Sequence, residues 1–148
     1  MLIRHTPDLP SVLRRAIDAY RANDPITIAE AFTLDARLVM RFDPKLAERL
    51  GLGSIEGPIS ATSAVGIMKY YAYEMSAYDV LDLEIMSSLQ AGRDVAAVCQ
   101  WSLRERSTGR ELLGQCHNIW TLDKPGKKLI GAHTVCKIIT PGFNHHVN

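Results

Sequence analysis

Asn118, His133 and Asp43 are the side chains of this 148-residue chain whose chemistry and neighbours could support a reaction or hold a polar ligand. Asn118 sits in the run Cys116-His117-Asn118-Ile119-Trp120, where strand alternation puts its carboxamide on the same side as Cys116 and Trp120. A buried amide left without hydrogen-bond partners costs about 1–3 kcal/mol. Asn118 therefore either orients a ligand carbonyl or a water, or bonds to a neighbouring backbone group or to Tyr20. His133 is a candidate general acid or base if it faces inward, because an imidazole titrates near neutral pH. Asp43 precedes Pro44 at the end of an alternating run, with the wrong parity for that run's apolar face. A strand bulge would turn its carboxylate inward as a base; without one it is a solvated loop residue.

The remaining polar residues add no chemistry. His117 falls on the face opposite Asn118, and His5, His145 and His146 lie in the segments 1–9 and 140–148, which are read as tails of a single domain spanning 1–148. Asp35 turns the chain into a strand. The sequence holds no His-Glu-x-x-His or comparable metal spacing, no nucleophile elbow and no phosphate-binding glycine loop, so neither a metal nor a cofactor is expected.

Whether those side chains meet depends on the elements that carry them. Beyond Ala77 the pattern alternates with period two and is broken at Ala91-Gly92, Thr108-Gly109 and Pro125-Gly126, which marks long strands joined by turns. With Thr108 and Gly109 as the central turn residues, Trp101 would pair Cys116, Cys99 would pair Asn118, and Ala97 would pair Trp120. In the strand before, Leu81, Leu83, Ile85 and Leu89 form one face, and aligning them with Trp101 and Cys99 requires an odd-length turn around Gln90, Ala91 and Gly92. The last strand admits two placements. A two-residue turn at Pro125-Gly126 puts His133 inside, opposite Asn118, and a three-residue turn puts it outside, opposite His117.

The first half of the chain is helical around one strand. Ser11 caps a helix with apolar Leu13, Ala16, Ile17 and Tyr20, and Asn23 closes it. Asp24 caps a second helix that has Pro25 at its first position and buries Ile28 and Phe32. Residues 36–42 alternate, with Ala36, Leu38, Met40 and Phe42 on the apolar face; 43–54 read as a loop with at most one helical turn. Gly57 and Pro58 open a third helix with the stripe Ala61, Val65, Met68, Ala72 and Met75. Helices followed by strands indicate an α+β domain.

Composition narrows the partners. Seventeen Lys and Arg balance sixteen Asp and Glu, evenly spread, so neither nucleic acid nor a charged membrane surface is implied. No segment approaches the roughly 18 apolar residues of a membrane span, and no signal-peptide core is seen near Met1. Cys99, Cys116 and Cys136 occur without a Cys-x-x-Cys spacing and read as small buried hydrophobes in a reducing, cytoplasmic compartment.

The order of elements, with Asn23-Asp24 ending the first helix, Asp35-Ala36 opening the first strand, Gly57 before the third helix and Trp120-x-Leu122-Asp123-x-x-Gly126 in the last hairpin, resembles the ketosteroid isomerase and SnoaL-like branch of the nuclear transport factor 2-like superfamily. The likeness runs from about Ser11 to Ile139. It implies a cone-shaped, strongly curved antiparallel sheet wrapped by three helices, a pocket for an apolar or polycyclic molecule, and a homodimer through the outer sheet face. The sheet side of that pocket would be Leu38, Met40, Phe42, Leu83, Cys99, Trp101, Cys116, Asn118 and Trp120. The helical side would be Tyr20, Phe32, Val65 and Met68. The isomerase's own groups do not carry over: its base matches Met40, its oxyanion tyrosine Ala16, its supporting tyrosines Phe32 and Val65, and its protonated acid Asn118. The resemblance thus implies either a cofactor-independent isomerase, cyclase or dehydratase working by acid–base catalysis, or a ligand-binding or dimerising module without catalysis. A third reading is the small subunit of an aromatic-ring dioxygenase.

Overall fold

Periodic apolar residues give every long element of this chain one greasy side, and those sides meet in a single core between helices and a curved sheet. The computed structural model describes residues 8–49 and 59–139. The expectations placed on Gly57, Pro58, His5, His145 and His146 lie outside the described residues. The elements are α1 (Ser11–Arg21), α2 (Pro25–Glu30), β1 (Phe32–Phe42), α3 (Pro44–Arg49), β2 (Ile59–Thr62), α4 (Ser63–Ala77), β3 (Tyr78–Ala91), β4 (Asp94–Glu105), β5 (Glu111–Leu122) and β6 (Leu129–Ile138).

The strands form one six-stranded sheet in the order β2-β1-β6-β5-β4-β3. Every neighbouring pair is antiparallel except β1 with β6, so the sheet is mixed where an antiparallel one was expected. The cause is topological: β6 returns to the sheet beside β1, after a meander, running in the same direction.

Helix α1 begins one residue earlier than expected, with Pro10 at the cap position and Ser11 already helical. The chain before it is less of a tail than expected, because Leu9 is buried in the core. Asn23 ends the helix in the left-handed conformation at φ 57°, and its Oδ1 accepts from Val80 N at 3.1 Å. Arg21 Nε donates to Leu83 O at 2.8 Å. These two bonds fix the end of α1, and with it Tyr20, against β3. Asp24 caps α2 as expected, accepting from Thr27 N at 3.1 Å and Thr27 Oγ1 at 2.6 Å.

Strand β1 starts at Phe32, ahead of the alternating stretch, with an irregularity between Phe32 and Arg37. Pro44, with no N–H to lose, starts the six-residue helix α3, longer than the single turn expected there. Residues Ile59–Thr62, expected to lie within the third helix, form an edge strand on β1, and α4 begins only at Ser63, whose Oγ accepts from Gly66 N at 3.1 Å. Helix α4 buries Ile67 and, of the expected stripe, Met75; Met68 and Ala72 are half-buried and Val65 is 57% exposed.

The inner faces of β4 and β5 are those expected, but the register differs by two residues. Cys99 pairs Cys116, Ala97 pairs Asn118, Val95 pairs Trp120 and Trp101 pairs Gly114. A shift of two keeps every side chain on its face. The loop is longer than two residues, with Glu105 N donating to Arg110 O and Gly109 N to Glu105 O, both at 2.8 Å. Gly114 explains the choice: a Cβ there would lie 2.0 Å from the Trp101 indole, so only glycine admits the ring.

Between β3 and β4 the turn is even, with Ala91 paired to Asp94, and the parity correction is made inside the strand by irregularities at Val80/Asp82 and Ile85/Ser87. Leu81 and Leu89 consequently point to solvent. The β5–β6 connection is neither of the two short turns. Asp123 Oδ1 accepts from Lys127 N at 2.8 Å and Lys128 N at 3.2 Å, and the strands close at Leu122 and Leu129. His133 is therefore exposed on the outer face opposite Ile119, while Thr134 faces inward opposite Asn118.

Candidate active site

Between the concave face of the sheet and the helices lies a cavity of about 630 Å³. Most of its expected lining is present: Tyr20, Phe32, Met40, Phe42 and Leu83 on one side, and Cys99, Trp101, Cys116, Asn118 and Trp120 on the other. Leu38 is buried in the core without reaching the cavity, and neither Val65 nor Met68 lines it. Asp43 lies apart, in a shallow depression with Arg41, His117 and Val135, and its backbone N–H donates to Cys136 O at 2.8 Å. No inward bulge rescues it. His133 is likewise outside the cavity.

Helix α4 supplies what the sequence reading passed over. Tyr70 and Tyr71 stand four and three residues before Glu74, so all three share one helix face, and that face looks into the cavity. Across from them α1 presents Tyr20, whose hydroxyl donates to Glu74 Oε1 at 2.7 Å. Tyr70 also hydrogen-bonds the carboxylate. The Tyr71 ring stands nearly perpendicular to both neighbours, 5.9 Å from Tyr20 at 80° and 5.2 Å from Tyr70 at 79° between centroids.

Glu74 is half-buried and forms part of the cavity wall. Burial raises its carboxyl above the ordinary value, and hydrogen bonds from Tyr20 and Tyr70 pull partly against that rise. The phenols of Tyr20, Tyr70 and Tyr71 are raised as well, first by burial and then by the negative charge of Glu74. They remain protonated near neutral pH and act as donors.

The sheet wall carries a second polar group. Asn118 is 7% exposed; its Oδ1 accepts from Thr134 Oγ1 at 2.8 Å and its Nδ2 donates to Cys99 Sγ at 3.3 Å. Its partners are thus inward side chains of neighbouring strands, and not the backbone or Tyr20. Burial pushes the Cys99 thiol up to about 12, so it is inert at neutral pH. Cys116 and Cys136, direct partners across β5 and β6, are joined in a disulfide, and the Trp101 indole N–H donates to Cys116 Sγ at 3.0 Å. The expectation of three free thiols in a reducing compartment therefore fails for two of them. Among the described residues no group of three or more His, Cys, Asp or Glu could hold a metal ion, and no helix is long and apolar enough to cross a membrane.

A mixed, curved sheet wrapped by helices around such a cavity is the nuclear transport factor 2-like fold, and this chain has it. Solved structures with the same architecture include a protein of ketosteroid isomerase-like fold from Catenulispora acidiphila in complex with trimethylamine (11% identity, 84% of each chain, TM-score 0.65). A SnoaL-like protein of polyketide cyclase type from Shewanella denitrificans matches at 12% identity over 84% of this chain and 87% of that one, TM-score 0.63. A pinacolase from Penicillium brevicompactum matches at 12% identity over 86% and 84%, TM-score 0.63. No established family profile matches the sequence, and no curated protein does.

Proposed function

We propose that this protein binds a small, largely apolar molecule in the cavity and moves a proton on it, with Glu74 as general base and acid. The observation that carries this reading is the Tyr20 hydroxyl held 2.7 Å from Glu74 Oε1 in a cavity walled mostly by apolar side chains. A carboxyl raised by burial is better matched to taking and returning a proton near neutral pH than a solvated one. Ionised Glu74 would accept a proton from a substrate carbon or hydroxyl, steadied by the phenols of Tyr20 and Tyr70, and return it elsewhere on the same molecule. Asn118 stands on the sheet wall, and its amide nitrogen has a second hydrogen to offer a substrate oxygen. This is chemistry of the isomerase, cyclase and dehydratase kind, and the SnoaL-like protein and the pinacolase of like fold support it.

Nitrobenzisoxazole tests the reading without knowledge of the natural substrate: a base removes its ring C–H proton, the N–O bond opens, and a coloured phenolate forms. The protein should turn it over, and Glu74→Gln should lower the rate about 10²–10⁴-fold. His133→Ala should leave the rate unchanged, since that imidazole is on the outer face. Equal rates for the parent and Glu74→Gln would sink the assignment. Tight binding of apolar ligands with no turnover in the parent would favour a storage module instead. We also propose that the outer face of the sheet pairs two copies of the chain.

A further inference from the structure

We propose that the molecule this cavity takes carries a basic amine, whose ammonium sits among Tyr20, Tyr70 and Tyr71 against Glu74. The proposal rests on the reading of the cavity as the ligand site and names the charge of what enters it.

Charge is the first argument. None of the described residues lining the cavity is Lys, Arg or His, whereas two are glutamates, Glu74 and Glu105. Glu105 has a cation of its own, Arg110, at 3.8 Å. Glu74 has no ion-pair partner among the described residues; phenols are its polar company. A carboxylate or phosphate ligand would find no counter-charge among the described lining residues, while an ammonium would supply the one Glu74 lacks among them.

Shape is the second. The Tyr71 ring stands at 80° to Tyr20 and 79° to Tyr70, and all three rings line the cavity together with Glu74. The face of an aromatic ring is its negative side, and a cation within about 6 Å of ring centroids is attracted by roughly 0.5–2 kcal/mol. Met40, Phe42, Leu83 and Trp101 are among the apolar side chains that wall most of the remaining space, so the body of the ligand is largely apolar and the occupant is a hydrophobic amine and not a polyamine or an amino acid.

Linkage is the third. An ammonium beside Glu74 favours its ionised carboxylate, the form the acid–base reading requires.

Three naphthalene-framed probes of equal size test this on the full chain by calorimetry: naphthylmethylamine, naphthylmethanol and naphthoate. The amine should bind at least about tenfold tighter than the alcohol, and naphthoate should not bind measurably. Glu74→Gln, checked for folding by circular dichroism, should erase the preference for the amine over the alcohol, and Tyr71→Leu, checked in the same way, should reduce it. An amine no tighter than the alcohol, or naphthoate equal to it, overturns the proposal. If nitrobenzisoxazole is still turned over in that case, the charge assignment alone falls. If no probe binds and nothing is turned over, the ligand-site reading falls with it.

Discussion

Burial holds the Glu74 carboxyl above its ordinary value while Tyr20 and Tyr70 draw it back, and burial is the larger effect. Unfolded, the group ionises near its ordinary value, so between that value and the raised folded one the folded protein holds the extra proton. Stability therefore falls as pH rises through that window and is level above it. Glu74→Gln cannot ionise, and it should gain on the parent as pH rises, read as the difference in urea midpoints at about pH 4 and about pH 8. An unchanged difference at the two pH values would show that burial does not perturb the carboxyl. Tyr20→Phe removes one donor from the same oxygen. It should cost about 1.5–3 kcal/mol of stability, as expected for a hydrogen bond to a charged group, and move the pH midpoint of nitrobenzisoxazole turnover upward. The spacing of Tyr70, Tyr71 and Glu74 is legible in the sequence, but Glu74 falls outside the stripe Ala61, Val65, Met68, Ala72 and Met75 read for that helix, and a glutamate off the apolar stripe reads as solvent-facing. Only the packing of α4 across the sheet mouth separates the two cases.

Elements were legible where parity decides and illegible where fit decides. The inward set Ala97, Cys99, Trp101, Cys116 and Asn118 follows from alternation, because a strand cannot turn a side chain over without a bulge. The register between β4 and β5 depends on loop closure and on Trp101 lying over Gly114, neither of which leaves a periodic trace. Strand β2 is four residues long, too short for alternation to show, and it takes its place from the open edge of β1. Gly114→Ala would drive a methyl into the Trp101 indole and should destabilise by about 1–3 kcal/mol in urea, with a change in the near-ultraviolet dichroism of the tryptophans. A silent substitution would place the indole elsewhere. The Cys116–Cys136 bridge clamps β5 to β6 one inward pair away from Asn118 and Thr134. Reduction should cost roughly 2–4 kcal/mol, and the oxidised chain should weigh two hydrogens less by mass spectrometry. A native mass with all thiols present would remove the clamp.

At the scale of the whole molecule, the concave face of the sheet is committed to the cavity, which leaves the convex face to solvent or to a partner. That face carries more apolar surface than a solvated sheet needs: Ile119 is 50% exposed and Val135 44%, and both stand directly across from histidines, His133 and His117. Aliphatic residues paired with imidazoles on the outer face of a sheet suit contact with a second copy, in which the same patch meets itself about a twofold axis. A stable pair buries about 1,200–2,000 Å² in total, an area the middle strands of a six-stranded sheet can provide. Light scattering should give twice the mass of one chain. Ile119→Glu, which puts like charges face to face across the axis, should shift the mass to that of a single chain while leaving nitrobenzisoxazole turnover intact, since Ile119 points away from the cavity. A parent that scatters as one chain at all concentrations would end the dimer reading without touching the site. A dimer that survives Ile119→Glu would move the interface off the sheet and onto the helices.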